Sequence, residues 1–104
     1  MGKRSKTKGS RVELMITKMF RSWGLKAEKV PLSGATPYAR GDVDVYPKGK
    51  DSPFIGEVKA RANGFKTLHS WLEKDGADYL ALKTDHKDVL FVVPERVMRE
   101  LLRQ

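Results

Sequence analysis

The chain has 104 residues and no cysteine; that is enough for one domain with a modest core, burying roughly 60–70% of its unfolded surface, and it excludes a disulfide framework or a thiolate metal site. Lys and Arg number 21 against 13 Asp and Glu, a formal net charge of +8, and an excess of that size points to a polyanionic partner, nucleic acid ahead of an anionic membrane, with solubility alone as the plain alternative. No apolar stretch approaches the ~20 residues of a membrane span and no apolar run follows the basic N-terminus, so no membrane contact and no signal peptide are expected, and a reducing cytoplasm is the expected setting.

Residues 1–9 read MGKRSKTKG, with five basic residues between Lys3 and Arg11. This composition predicts a disordered basic arm, lying along a phosphate backbone or simply solvated. A single domain is expected over residues 10–104. Val12, Met15, Ile16, Met19, Phe20 and Trp23 recur at three- and four-residue spacing and predict a first helix over Ser10 to Trp23, closed by Gly24. A short strand follows over Lys26 to Pro31, then a loop over Leu32 to Gly41 marked by Ser33, Gly34, Pro37 and Gly41.

Asp42 to Tyr46 alternates D-V-D-V-Y, which predicts a strand with Asp42 and Asp44 on one face and Val43 and Val45 on the other. Pro47 to Pro53 is a polar turn, and Phe54 to Ala60 is the next strand of a hairpin. Thr67 to Lys74 predicts a second helix with Leu68, Trp71 and Leu72 inward and Gly76 as its stop. Two further strands, Asp78 to Lys83 and Val89 to Val93, flank the turn Thr84 to Asp88. Pro94 opens a closing helix with Val97, Met98, Leu101 and Leu102 apolar. The order α-β-β-β-α-β-β-α implies an α/β fold in which a mixed central β-sheet is flanked by helices.

The chemistry concentrates between Gly41 and Arg61, GDVDVYPKGKDSPFIGEVKAR. Acids inside apolar strands are costly unless something compensates them. Glu57 and Lys59 flank Val58 and share a face, so a hairpin brings Asp42, Glu57 and Lys59 to one spot. A carboxylate pair there suits Mg²⁺, which takes one or two carboxylates and keeps waters for a substrate phosphate, while the lysine orients a water or offsets developing negative charge. That is equipment for metal-assisted phosphodiester hydrolysis.

An Asp followed, after a spacer, by Glu-X-Lys is the signature of the PD-(D/E)XK nucleases, here Asp42 and then Glu57-Val58-Lys59. Together with Glu13 on the first helix, the Val30 to Gly34 stretch V-P-L-S-G and the order of elements, it resembles the archaeal-type Holliday junction resolvases over roughly Ser10 to Val93. The resemblance implies a restriction-endonuclease-like core. It implies Glu13, Asp42 and Glu57 as ligands of Mg²⁺, with Mn²⁺ as a substitute. Lys59 would be the water-positioning cation, and Ser33 a loop hydroxyl near the scissile phosphate. It further implies a homodimer that cuts four-way DNA junctions, leaving 5′-phosphate ends, and binds duplex more weakly. Gly41 departs from the pattern, which has proline before the Asp. Asp44 competes with Asp42 for the motif position; Asp42 is favoured because it aligns with the family Asp.

Plain structural readings stand beside these. Ser10 to Glu13 also reads as a capping box, Glu57 and Lys59 as a surface ion pair, and Ser33 as a turn residue. Arg40 and Arg61 suit phosphate or solvent equally. His69 and His86 lack partners at metal-ligand spacing, and Trp71 reads as core or dimer interface. The alternatives in function are a repair or restriction-like nuclease acting on flaps, nicks or duplex, and a non-catalytic nucleic-acid-binding module.

Overall fold

The computed structural model describes the backbone of residues 2–31 and 41–103, with side chains from Lys8 onward in those ranges. The elements follow the expected order: α1 (Gly2–Ser22), β1 (Lys26–Lys29), β2 (Val43–Tyr46), β3 (Phe54–Gly56), α2 (Lys66–Lys74), β4 (Leu80–Leu82), β5 (Leu90–Val92) and α3 (Glu95–Leu102). They fall in two compact units, residues 1–60 with 103–104 and residues 61–102, where composition points to a single domain from Ser10 onward.

Helix α1 begins at Gly2 and not at Ser10, so the basic stretch expected as a disordered arm has helical backbone. Lys and Arg are good helix formers and no proline interrupts them, while Gly9 costs only about 1 kcal/mol. The helix ends where Gly24 predicts. Gly24 takes φ +90°, its N–H bonds to Arg21 O at 3.0 Å and Leu25 N–H bonds to Phe20 O at 3.2 Å, a Schellman closure that requires the left-handed residue. The predicted apolar stripe holds in part: Trp23 is buried, but Met15 is 53% exposed. Thr17 takes an inward place instead, 1% exposed, its hydroxyl satisfied by donating to Glu13 O at 2.8 Å.

The first unit carries an antiparallel sheet of order β1-β2-β3. The register sets Ala27 opposite Val45 and Lys29 opposite Val43, so these four residues share one face. Helix α1 packs on β1 and β2, and the core beneath it is Trp23, Leu25, Ala27 and Val43.

The second unit carries the hairpin β4–β5. Its turn bonds Lys87 N–H to Thr84 O, and Lys83 Nζ donates to Thr84 O and Lys87 O at 2.9 and 2.7 Å. Helix α2 ends on a second Schellman closure, with Gly76 N–H to Glu73 O and Ala77 N–H to Leu72 O. No described residue of this unit is buried outright; Trp71, expected to point inward, is 51% exposed.

The expected mixed sheet is therefore replaced, among the described residues, by two antiparallel sheets. Each is made by strands that are neighbours in sequence. β2 and β3, and β4 and β5, are each joined across 7 intervening residues, too few for the crossover that a parallel pair needs. No described helix is long and apolar enough to cross a membrane.

Two glycines set how closely β2 and β3 approach. Gly41 has φ +73°, and a Cβ there would run into Ile55 Cγ2 and lie 2.9 Å from Gly56 O; a Cβ on Gly56 would lie 2.8 Å from Val43 O. Gly49 also has a positive φ, +79°, but open space around it. Gly49→Ala should therefore cost about 1–2 kcal/mol for the left-handed backbone alone. Gly41→Ala should cost a further 1–3 kcal/mol, roughly, for overpacking. Urea denaturation of both variants measures the difference, and equal losses would show that Gly41 is not crowded.

Candidate active site

The loop–strand junction at Asp42 is where the signature comes together. Proline at position 41 is incompatible with this geometry, because its ring fixes φ near −65° and Gly41 stands at +73°. The turn lets Asp42 close on the end of β3. Asp42 N–H donates to Gly56 O at 2.7 Å, and Asp42 O accepts from Val30 N–H at 2.9 Å. Its carboxylate Oδ2 accepts the Val58 N–H at 2.8 Å.

That last bond corrects the expected strand Phe54 to Ala60. β3 stops at Gly56, and Glu57 and Lys59 stand on extended chain just beyond it. A side-chain carboxylate occupies the Val58 N–H that a ladder would use. The alternation around Val58 survives, with Glu57 and Lys59 exposed and Val58 half-buried. Lys59 Nζ lies 3.7 Å from Glu57 Oε2, with the side chains 58% and 61% exposed. A pair so open to water contributes at most about 1 kcal/mol to stability, so fold stability alone gives little reason for it.

Glu13 comes from α1. Because the helix starts eight residues before Ser10, Ser10 is not a helix cap and the capping-box reading of Glu13 falls. The Ser10 hydroxyl instead accepts from Lys29 Nζ at 2.7 Å. The same ammonium lies 3.9 Å from Glu13 Oε1, and the Glu13 side chain is only 17% exposed. Loss of water around it holds the Glu13 carboxyl above the usual carboxylate range; the negative charge of Asp42 raises it further, Lys29 lowers it, and Glu57 raises it again. Glu13, Asp42 and Glu57 thus lie in one electrostatic neighbourhood.

Asp44 is not among the charges that move the Glu13 carboxyl. β2 begins at Val43, one residue after Asp42, whose backbone bonds to Val30 and Gly56. Asp44 faces Glu28 and Ile55 across the sheet, and its Oδ1 is buried with no hydrogen-bond partner. Ser33 and Arg40 lie outside the described residues. His69 and His86 are both exposed. Sequence reasoning passed over Lys29, although its place two residues after Ala27 in K-A-E-K puts it on the helix-facing side of β1.

Among the described residues no group of three or more His, Asp or Glu is arranged so that it can hold a metal ion. Mg²⁺ does not require one, since it is usually held by one or two carboxylates, with waters and substrate oxygens completing its shell. The donor set fits on its chemistry: all ligands are carboxylate oxygens, and their mutual repulsion at Glu13 is the kind a cation relieves.

A family model described as "Phage putative PDDEXK endonuclease" matches residues 4–94, which include Glu13, Asp42, Glu57 and Lys59. No curated protein and no solved structure matches the chain.

The raised Glu13 carboxyl has a stability consequence with a definite sign. The folded state binds this proton more tightly than the unfolded state. Its contribution is therefore fully present below the unfolded carboxylate range, around pH 4, and is lost as pH rises through the higher folded value. Glu13→Gln removes the dependence. The variant should melt above the native chain at pH 7, with the gap closing as the pH falls towards 4. Circular-dichroism melts across that range test it, and a gap that widens on acidification would reverse the sign.

Proposed function

The chain belongs to the family described as "Phage putative PDDEXK endonuclease", and from that premise we propose that it hydrolyses DNA phosphodiesters at the Glu13–Asp42–Glu57 cluster with Mg²⁺, or Mn²⁺ in its place. We propose four-way junctions as the preferred substrate, cut by a homodimer. What supports the cluster as the cleavage site is that the Asp42 carboxylate is bonded to the Val58 N–H between Glu57 and Lys59, that Lys59 stands beside Glu57, and that the charges of Asp42 and Glu57 both act on Glu13 of α1.

Glu13, Asp42 and Glu57 would surround the cation, one or two of them bonding it directly and the rest reaching it through its waters; when bound it would supply Lewis acidity at the phosphate and make a bound water more acidic than bulk water. The Val58 N–H restricts how the Asp42 carboxylate turns. The exposed Glu57 is open to substrate from solvent. The Lys59 ammonium orients a water and offsets charge that builds on the phosphate. In-line attack at phosphorus would leave 5′-phosphate and 3′-hydroxyl ends. Ser33 keeps its proposed place near the scissile phosphate.

Resolution of a junction needs two opposed cuts, and an isologous dimer supplies two sites related by the same two-fold symmetry. The exposed apolar side chains of the second unit, Leu90 at 65%, Phe91 at 66% and Trp71 at 51%, are candidates for the dimer contact. The net charge of +8 attracts any phosphate chain, so weaker duplex binding accompanies the junction preference.

Asp42→Asn and Glu57→Gln should each abolish Mg²⁺-dependent cleavage while leaving DNA binding in place, and Asp44→Asn should be milder. Lys59→Ala should lower turnover by on the order of 100-fold or more, with affinity changing much less. Gel-based cleavage and binding assays on a junction, a flap and a duplex, with light scattering for mass, check all of this. A monomer that binds duplex as tightly as junction would remove the junction reading and leave the nuclease; an active Asp42→Asn would remove the proposed site.

A further inference from the structure

At the other end of β2 from Asp42, the Schellman end of α1 and the β2–β3 turn form a cleft of about 390 Å³ lined by Gly24, Leu25, Lys26, Tyr46, Lys48 and Lys50 together with Pro47 and Gly49. It contains three lysines and no acid. Lys26 is held in place: it faces Tyr46 across the sheet, and its Nζ lies 4.5 Å from the centre of the Tyr46 ring. An ammonium held by a ring face keeps its N–H donors for another partner. Lys48 and Lys50 ride on a turn closed by the bond from Lys50 N–H to Pro47 O at 3.0 Å, and both are exposed. Neither side chain has a hydrogen-bond or ion-pair partner among the described residues. Gly24 and Gly49 both need their positive φ, and a Cβ at either would meet nothing within 4 Å, so the backbone on both sides of the cleft is open to an incoming group.

We infer that this cleft is a DNA-backbone site, in which Lys26, Lys48 and Lys50 bind phosphates of the strand that runs on from the cleavage site. This rests on the nuclease reading for its substrate, but not on any catalytic residue. The two sites stand at opposite ends of β2. From Asp42 to Tyr46 is 46 − 42 = 4 residues of extended chain, roughly 13 Å at ~3.3 Å per residue. A single strand of duplex DNA carries one charge per ~3.4 Å of helix axis, so a DNA strand running along β2 would meet the lysines about four nucleotides from the scissile position. Contacts of this kind position a substrate without reading its bases, which suits an enzyme selective for DNA shape.

The test compares the native chain with Lys48→Gln/Lys50→Gln, which leaves the Lys26–Tyr46 contact intact, and with the triple variant that adds Lys26→Gln. A control triple, Lys66→Gln/Lys74→Gln/Lys87→Gln, removes the same charge from the second unit. Binding to a 30-base-pair duplex and to a four-way junction is measured in Ca²⁺ across a salt series, with circular dichroism confirming the fold. Each lost phosphate contact lowers the log–log salt slope by about 0.9. The double variant should lose nearly 2 from the slope, the triple nearly 3 with at least tenfold weaker binding at 100 mM salt, and the control less than 1. An unchanged slope, or an equal loss in the control, overturns the site. Cleavage by the native chain in Mg²⁺ keeps the two proposals apart. Slope losses in a chain that cuts nothing would retain the DNA-backbone site and remove the nuclease; cutting by a native chain whose lysine variants keep the full slope would do the reverse.

Discussion

The bond from the Val58 N–H to the Asp42 carboxylate is the constraint on which the candidate site rests. It joins the two halves of the signature, the lone Asp and the Glu-X-Lys, across a gap of 16 residues. It also ends β3, so that Glu57 and Lys59 leave the sheet and present themselves to solvent. A hydrogen bond to a charged group contributes about 1.5–3 kcal/mol, more than the exposed Glu57–Lys59 pair can. The geometry of the acidic cluster is therefore owed to Asp42 and its backbone partners, and the two exposed residues are carried along by it.

That bond forms only because the chain on either side can come close enough. Gly41 and Gly56 remove the two Cβ atoms that would hold the strands apart, and the left-handed Gly41 leads the chain into Asp42. The replacement of the customary proline by glycine is thus a change in how the Asp is delivered. Proline would deliver it from φ near −65°; here a left-handed turn does.

The order of the eight elements was legible in the chain, because hydrophobic periodicity is a local signal, and so was the approach of Asp42 to the Glu57-Val58-Lys59 segment, which the Val58 N–H bond makes; Glu13 came from the family resemblance and not from spacing. What was not legible depended on contacts between distant residues. β3 is four residues shorter than its apolar pattern because of a side chain on another strand. α1 is eight residues longer at its start than its apolar stripe, since amphipathicity reports where a helix packs and not where it begins. Asp42 and Asp44 read as equivalent in D-V-D-V; what separates them is the Val58 N–H on the Asp42 carboxylate and the buried, unpartnered oxygen of Asp44. The division into two antiparallel sheets was equally hidden, since strand order alone does not say which neighbours pair.

Lys29 sits where its ammonium reaches both the Ser10 hydroxyl and the Glu13 carboxylate, so the acidic cluster folds with a counter-charge of its own. For a site that takes a cation, this builds in a thermodynamic trade. Lysine and metal favour the same ionised carboxylate, yet two positive charges at one group repel, so each weakens the hold of the other by an equal free energy. A tighter Lys29 contact would give a sturdier empty protein and a poorer cation site. The 3.9 Å separation and the partial exposure of Lys29 set that exchange at its weak end, where the resident charge offsets the repulsion among the acids and yields readily to a stronger one.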